Sequence, residues 1–373
     1  MNSRTIPSLD GLRACSVFLV IVSHFLAYLP GKENQFPFVQ LSWLGKSGVD
    51  IFFVISGFLI TGLLVKEWNA TRKISLRNFY FRRFFRIFPP FYVFLAIMGI
   101  VWARGIVSIN VPGFVSSATY TSNYWGSPNW ILAHTWSLGL EEQFYVLWPP
   151  CFALLGKRRS AQVALAIITL GPAVRLLNYV VAPPLRGAEG VMLHTRLDMI
   201  MFGCAMALLL ESPRFHEQAQ RFLHPALFSF AVLYIVVLAP VLSARFMGWY
   251  DWPAGYTLRG SLISLVVLYA VKRPASPTGK FLNLALMRHL GVISYSIYLW
   301  QQPFMGGFGG LAVPWNIVPT LGAAELSHWL VERPSFWLRD RLALRLTRAR
   351  NSVEALDGPP DVRETVRTGA EQT

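Results

Sequence analysis

Long apolar runs recur along the chain and alternate with short polar stretches. Ala14–Leu29, Ile51–Val65, Val163–Val181, Phe222–Leu242 and Gly260–Val271 are the clearest of them. A membrane-crossing helix needs about 20 mostly apolar residues. The pattern therefore predicts about ten spans, near 12–29, 47–65, 87–103, 131–155, 161–181, 195–211, 223–243, 256–271, 289–305 and 317–332. The expected fold class is all-α, a polytopic membrane bundle. Residues 1–335 are expected to form one membrane domain, 336–350 a basic juxtamembrane helix, and 351–373 a disordered tail poor in aromatics. No small-residue cleavage site follows the first run, so it reads as a helix rather than a signal peptide. No internal repeat is evident, which weighs against a transporter built from two inverted halves.

Composition agrees with this pattern. Of 373 residues, 54% are hydrophobic and only 14% charged, against about 25% charged in an ordinary soluble domain. The formal charge of +15 raises the question of nucleic acid, and its distribution answers it. Counted by alternating side of the expected spans, 25 of the 34 Lys and Arg fall on the side of the two termini and 5 on the other. Arg13, Arg175, Arg196 and Arg259 lie within spans. The excess is thus a topology signal that places both termini in the cytoplasm, with no nucleic-acid partner implied. Arg339, Arg341, Arg345, Arg348 and Arg350 suit a helix lying along an anionic inner leaflet. Cys15, Cys151 and Cys204 are scattered in apolar surroundings and read as small buried hydrophobes.

An ionisable side chain at membrane depth costs about 2.5–3.5 kcal/mol on insertion scales, so each one needs a reason. The first span carries Asp10, Arg13 and His24. Eleven residues put Arg13 and His24 on one helix face, roughly 16 Å apart. The fourth span carries His134 and Glu141, on a stripe with Leu138, Tyr145 and Trp148. A His24–Glu141 pair is therefore one expectation, with a simple interhelical hydrogen bond from His24 as the alternative. Asp50, Arg175, Asp198 and Arg259 fall in the outer halves of their spans and suggest either a polar cavity or a structural ion-pair network. Arg83 and Arg86, three apart, could grip phosphates or merely supply positive-inside charge. Glu325, His328 and Glu332 share a helical face, but one His and two carboxylates on one helix are a weak metal signal; no metal is expected. The outer segment 104–130 mixes Ser, Thr and Asn with Tyr120, Tyr124, Trp125 and Trp130. It fits a sugar-contacting loop or an interfacial aromatic belt equally well.

Several segments, in order, resemble the acyltransferase family 3 of membrane proteins. They are Ser8-Leu9-Asp10-Gly11-Leu12-Arg13-Ala14 with His24, the run Gly48–Ile60, Tyr80-Phe81-Arg82-Arg83 with Arg86, and Trp136-Ser137-Leu138-Gly139-Leu140-Glu141-Glu142-Gln143-Phe144-Tyr145. Arg196-Leu197-Asp198, Ser294-Tyr295-Ser296-Ile297-Tyr298-Leu299-Trp300 and Glu332-Arg333-Pro334 follow. The resemblance covers about residues 8–334. It implies transfer of an acyl group, usually acetyl from acetyl-CoA, to a hydroxyl of a sugar or natural product such as a macrolide. It also implies a multi-pass protein of a bacterial inner membrane. The family's Arg–His pair maps to Arg13 and His24, its arginine pair to Arg83 and Arg86, and its acidic residue to Glu141. In this expectation His24 is the base, Glu141 orients it, and Arg13, Arg83 and Arg86 hold the CoA donor. Asp10, Asp50, His134, Trp136, Arg175, Asp198 and Arg259 are candidates for the substrate pocket. Many relatives carry His where this chain has Gln301, which argues against proton transfer at position 301. Many also carry a fused extracytoplasmic hydrolase-like domain, for which this chain is too short; a separate partner protein would have to supply it. The expected acceptor is a hydroxyl-bearing glycan or glycolipid. A glycan transporter or flippase is the rival, since it too needs many spans and intramembrane charge.

Overall fold

The computed structural model describes residues 6–27, 43–185, 190–307 and 315–357. Every regular element among them is helical. The principal helices are α1 (Pro7–Ala27), α2 (Leu44–Thr71), α3 (Leu76–Ala103), α4 (Val111–Ala118), α5 (Thr135–Val181), α6 (Leu193–Leu209), α7 (Pro225–Leu233), α8 (Tyr256–Lys272), α9 (Ala285–Val292), α10 (Ser294–Gln302), α11 (Ile317–Ser327) and α12 (Arg333–Asp357). Six helical stretches among the described residues are long and apolar enough to cross a membrane, or seven if a pair bent by 119° at residues 210–212 counts as one. The chain is a multi-pass integral membrane protein.

Six or seven is fewer than ten for identifiable reasons. The expected spans 131–155 and 161–181 count as one in that number, because they lie in a single stretch, Trp130–Val181, of 52 residues. At 1.5 Å per residue that is about 78 Å, more than twice a hydrocarbon core of about 30 Å. It breaks at Gly156, whose φ of 69° and ψ of 179° leave the helical region, just before Lys157-Arg158-Arg159. The expected spans 289–305 and 317–332 are each interrupted by a π-helical turn, at Pro303–Gly307 and His328–Glu332.

Close packing in lipid rests on small residues and shape rather than on expulsion of water. Helices α2 and α6 meet at Gly57 and Gly203. A methyl group on Gly203 would stand 2.0 Å from the Val54 carbonyl oxygen, and one on Gly57 would stand 2.1 Å from that of Ile200. That backbone-to-backbone approach seats Asp50 on α2 against Arg196 on α6. Beyond α11 the His328–Glu332 turn leads into α12, which runs to Asp357. Residues 351–357, expected in the tail, are therefore helical, and 358–373 lie outside the described residues. In the outer segment, Asn123 and Gln143 exchange amide hydrogen bonds of 3.0 and 2.9 Å. There Tyr124 and Trp125 are exposed.

Candidate functional site

A cleft with about 60 Å³ of enclosed space opens between α1, α2, α3, α5 and α10. Arg13 reaches it from α1, Arg83 and Arg86 from α3, and Glu141 with Glu142 from α5; Glu332 lines it from the last π turn. The sequence-expected donor residues Arg13, Arg83 and Arg86 thus meet in one place, together with Glu141. Arg86 is exposed despite its position inside the bundle, because the cavity leaves room around it.

Electrostatically the cavity is unfinished. Among the described residues, none of Arg13, Arg83 and Arg86 makes a salt bridge or a hydrogen bond. The charges of Arg13 and Arg83 act on Arg86, and Glu332 acts on it in the opposite sense. Arg83 lies flat over the Tyr145 ring, 3.7 Å from its centroid, and its Nε is buried without a partner. Of the three carboxylates that line the cavity, Glu142 makes no hydrogen bond or salt bridge among the described residues, and the other two are bonded to neighbours. Ser56 Oγ donates to Glu141 at 2.6 Å and also accepts from Tyr145 Oη at 3.2 Å. Ser296 Oγ donates to Glu332 at 2.5 Å, and His328 Nδ1 lies 3.1 Å from its other oxygen. Glu325 instead meets His289 at 2.5 Å. Of the three residues expected to share a face, His328 and Glu332 stay paired while Glu325 is bonded to His289.

His24 does not meet Glu141. Its Nδ1–H donates to Gln301 Oε1 at 2.6 Å, and its ring packs edge-on against Trp130 at 5.0 Å. A neighbouring pair repeats this arrangement: Gln302 Oε1 accepts from the backbone N–H of His134 at 2.9 Å and lies 2.6 Å from its Nδ1. The backbone bond fixes which end of the Gln302 amide is oxygen, so His134 carries its proton on Nδ1. Its buried Nε2 is a bare lone pair without a partner among the described residues. Both histidines sit just past the end of the cavity. Tyr298 lines the cavity, and its hydroxyl donates to the His134 carbonyl at 3.2 Å.

The remaining candidates part company with the cavity. Asp50, Arg175, Asp198 and Arg259 are all at most 2% exposed and are bonded into an ion network. Asp50 pairs with Arg196, and Arg259 Nε lies 3.1 Å from its second oxygen, at an angle too poor for a hydrogen bond. Arg259 also meets Asp251 at 3.1 Å and donates to Ser243 Oγ at 3.0 Å. Arg175 pairs with Asp198 at 2.7 Å and donates to the carbonyls of Thr195 and Trp252, both at 3.0 Å. The Tyr256 ring is the hub, with Arg196, Arg259 and Arg175 at 4.0, 4.7 and 5.1 Å from its centroid. Of the two readings left open by the sequence, these four residues form the ion network. Trp136 packs edge-on against Phe53 at 6.1 Å. Asp10 sits in the first turn of α1, where Arg13, Arg86 and Arg288 all act on its carboxyl.

Sequence reasoning gave no role to Gln302, Ser56, Ser137 or Tyr298, and of Gln301 it said only that proton transfer there is disfavoured. Two adjacent glutamines in an apolar span were the available signal, since a buried amide needs a partner.

The comparisons with known proteins complete the picture. A family model described as an acyltransferase domain matches residues 6–331. The Bacillus subtilis protein YrhL is 31% identical over 89% of this chain and 55% of its own length. The peptidoglycan O-acetyltransferase OatA of Listeria monocytogenes is 29% identical over 89% of this chain and 56% of its own. The O-acetyltransferase OatA of Staphylococcus aureus is 27% identical over 89% and 57%. The chain spans little more than half the length of these relatives. No solved structure matches it. With the family model covering nearly all of the helical bundle and every helix that borders the cavity, the chain belongs to the acyltransferase family 3 of membrane proteins.

Proposed function

We propose that this protein transfers an acetyl or short acyl group from acyl-CoA to a hydroxyl of a glycan or glycoconjugate. The observation that carries this reading is the trio Arg13, Arg83 and Arg86, convergent on one cavity and without a counter-ion at bonding distance among the described residues. Guanidiniums in that state suit phosphates, which they grip through paired, charge-assisted hydrogen bonds. Acyl-CoA carries phosphates at one end and a reactive thioester at the end of a slender arm. The names of the Listeria and Staphylococcus relatives favour an acetyl group, and the Listeria name favours a peptidoglycan-type acceptor.

In the proposed step, His24 Nε2 takes the proton from the acceptor hydroxyl. The oxygen attacks the thioester carbonyl, the C–O bond forms, the C–S bond breaks, and the departing thiolate recovers the proton from His24. Imidazole is well matched to this work near neutral pH. Gln301 holds Nδ1–H and thereby leaves Nε2 as the base, the orienting role first assigned to Glu141. In this reading Glu141 acts through Ser56 and Tyr145 to steady the platform under Arg83. An acyl-His24 intermediate is a variant of the same chemistry.

Ten spans with both termini in the cytoplasm, in a bacterial inner membrane, would open the arginine end toward cytoplasmic CoA and set His24 in the outer half. That geometry favours an acceptor presented from outside, a lipid-linked or surface glycan, with a separate extracytoplasmic protein as a further partner. The test is mass spectrometry of surface glycans from cells with the wild-type chain, without it, and with His24→Ala. The expected result is acetyl loss in the last two. A His24→Ala protein that inserts normally and still transfers acetyl at near wild-type rate would overturn both chemical routes.

A further inference from the structure

A second groove, with about 320 Å³ of space, opens at the seam between α2 and α6. It lies beside the Gly57–Gly203 contact and shares no lining residue with the arginine cavity. On α2 its lining runs through Phe58, Gly62, Lys66 and Asn69, a stripe at one-turn spacing. Ala207 lines it from α6, and Glu211 from the bend that follows. Small residues keep it open: a methyl group on Gly62 would meet no atom within 4 Å. Eleven residues separate Phe58 from Asn69. The groove is therefore about 16 Å long, close to half of a hydrocarbon core of about 30 Å. That is the depth of one leaflet. Its apolar end points toward mid-bilayer, and its polar end falls where α2 leaves the apolar stretch.

The mouth is lined by one lysine and one glutamate, and only the glutamate is matched. Glu211 Oε2 accepts from Asn69 Nδ2 at 2.7 Å and from Lys157 Nζ at 3.3 Å, and Lys157 also donates to Asn69 Oδ1 at 2.8 Å. Glu67, next to Lys66 in the chain, is bonded to the Ser75 backbone N–H at 2.8 Å and lies 3.9 Å from Arg82. Lys66 makes no salt bridge or hydrogen bond among the described residues. Arg158 and Arg159, which follow Lys157, are exposed and add positive charge at the same end. An apolar trough one leaflet deep thus leads to an unmatched ammonium. We propose that this groove holds one anionic phospholipid, with an acyl chain along Phe58, Gly62 and Val65 and the phosphodiester at Lys66. A lysine binds phosphate as a point charge, and basic residues at a membrane surface draw anionic lipids to it. A zwitterionic head group would bring a second cation to a mouth that lacks a free anion.

The experiment uses the full chain, delipidated in detergent and then incubated with equal amounts of phosphatidylglycerol and phosphatidylcholine. Native mass spectrometry counts the lipids each chain retains. The wild type should keep one phosphatidylglycerol and should prefer it to phosphatidylcholine. Lys66→Gln should weaken phosphatidylglycerol retention about tenfold, the worth of one charge-assisted contact. Gly62→Leu fills the trough from a position whose first added carbon meets nothing, and leucine is the better helix former. This variant should therefore melt no lower than the wild type in lipid-free detergent, yet retain neither lipid. Lys66 is exposed, so its variant keeps the test decisive if Gly62→Leu does not fold. Equal retention of the two lipids by the wild type overturns the proposal. So does wild-type phosphatidylglycerol retention in a folded Gly62→Leu chain or in Lys66→Gln.

Discussion

Replacing Asp50 by Asn should destabilise the protein severely without touching the cavity. Asp50 is 0% exposed and is the only carboxylate among the described residues that pairs with Arg196; it also faces Arg259 at 3.1 Å. Asparagine keeps the shape and removes the charge. Arg259 retains Asp251, also at 3.1 Å, but Arg196 is left as a buried cation over the Tyr256 ring. Removing one partner of a buried ion pair costs about 3–5 kcal/mol, mostly the penalty of the charge left behind. At roughly 2 °C per kcal/mol for a large domain, the melting temperature in detergent should fall by roughly 6–10 °C. The assay is thermal unfolding followed by size-exclusion fluorescence, with the amount of chain in membranes as a second measure. Because a pair removed whole is often near neutral, Asp50→Asn combined with Arg196→Gln should recover much of the loss. An Asp50→Asn protein with unchanged melting temperature and abundance would refute the reasoning, because the network would then contribute nothing to folding.

Four other expectations follow from the same geometry. Arg83→Ala should raise the KM for acyl-CoA about tenfold or more, the worth of one charge-assisted contact; Arg83→Lys should not restore it, since an ammonium neither grips phosphate bidentately nor stacks flat on Tyr145. Gln301→Leu should lower kcat about tenfold or more and leave the donor KM unchanged, because it frees the His24 ring without altering the arginines; steady-state kinetics of both variants separate the two effects. Gly203→Val should block insertion or folding, as even one added carbon would overlap the Val54 carbonyl at 2.0 Å; membrane abundance reads it directly. Acetyl-CoA at about 100 times its Kd should stabilise the wild type by about 2.7 kcal/mol, and the stabilisation should shrink in Arg83→Ala and at high salt, where screening weakens exposed charge contacts.

Much of this molecule is legible in one sequence, for a physical reason. Membrane helices must satisfy their backbone internally, so apolar length alone marks them, and the helices α1, α2, α6 and α8 lie close to their expected positions, while α3 begins eleven residues earlier than expected. The spacing of Arg13 and His24 holds because α1 is continuous from Pro7 to Ala27. Pairing between helices is a different matter. Helical periodicity says which face a residue occupies but not what stands opposite. Thus His24 and Glu141 look like natural partners, while the fold gives one to Gln301 and the other to Ser56. Likewise periodicity pairs His328 with Glu332, as found, but gives no sign that Glu325 turns to His289. The break at Gly156 between two expected spans, by contrast, has its trace in the sequence, a glycine beside three cations.

The two groups of intramembrane charge obey one rule and for that reason can be told apart. Every charge at this depth must be neutralised, hydrated or held for a ligand. In the buried network three aspartates face three arginines and these six charges balance inside the protein; Lys46, 40% exposed, lies 3.7 Å from Asp251 at its edge. In the arginine cavity the charges share one space without bonding: Arg13, Arg83 and Arg86 line it beside Glu141, Glu142 and Glu332, and none of the three guanidiniums makes a salt bridge or hydrogen bond among the described residues. Guanidiniums left unbonded in this way take up an incoming polyanion without first breaking an ion pair. Selection for stability alone would have paired these arginines as it paired Arg175 with Asp198. Their unpaired state is the strongest physical argument that this end of the bundle exists to hold a phosphate-bearing donor.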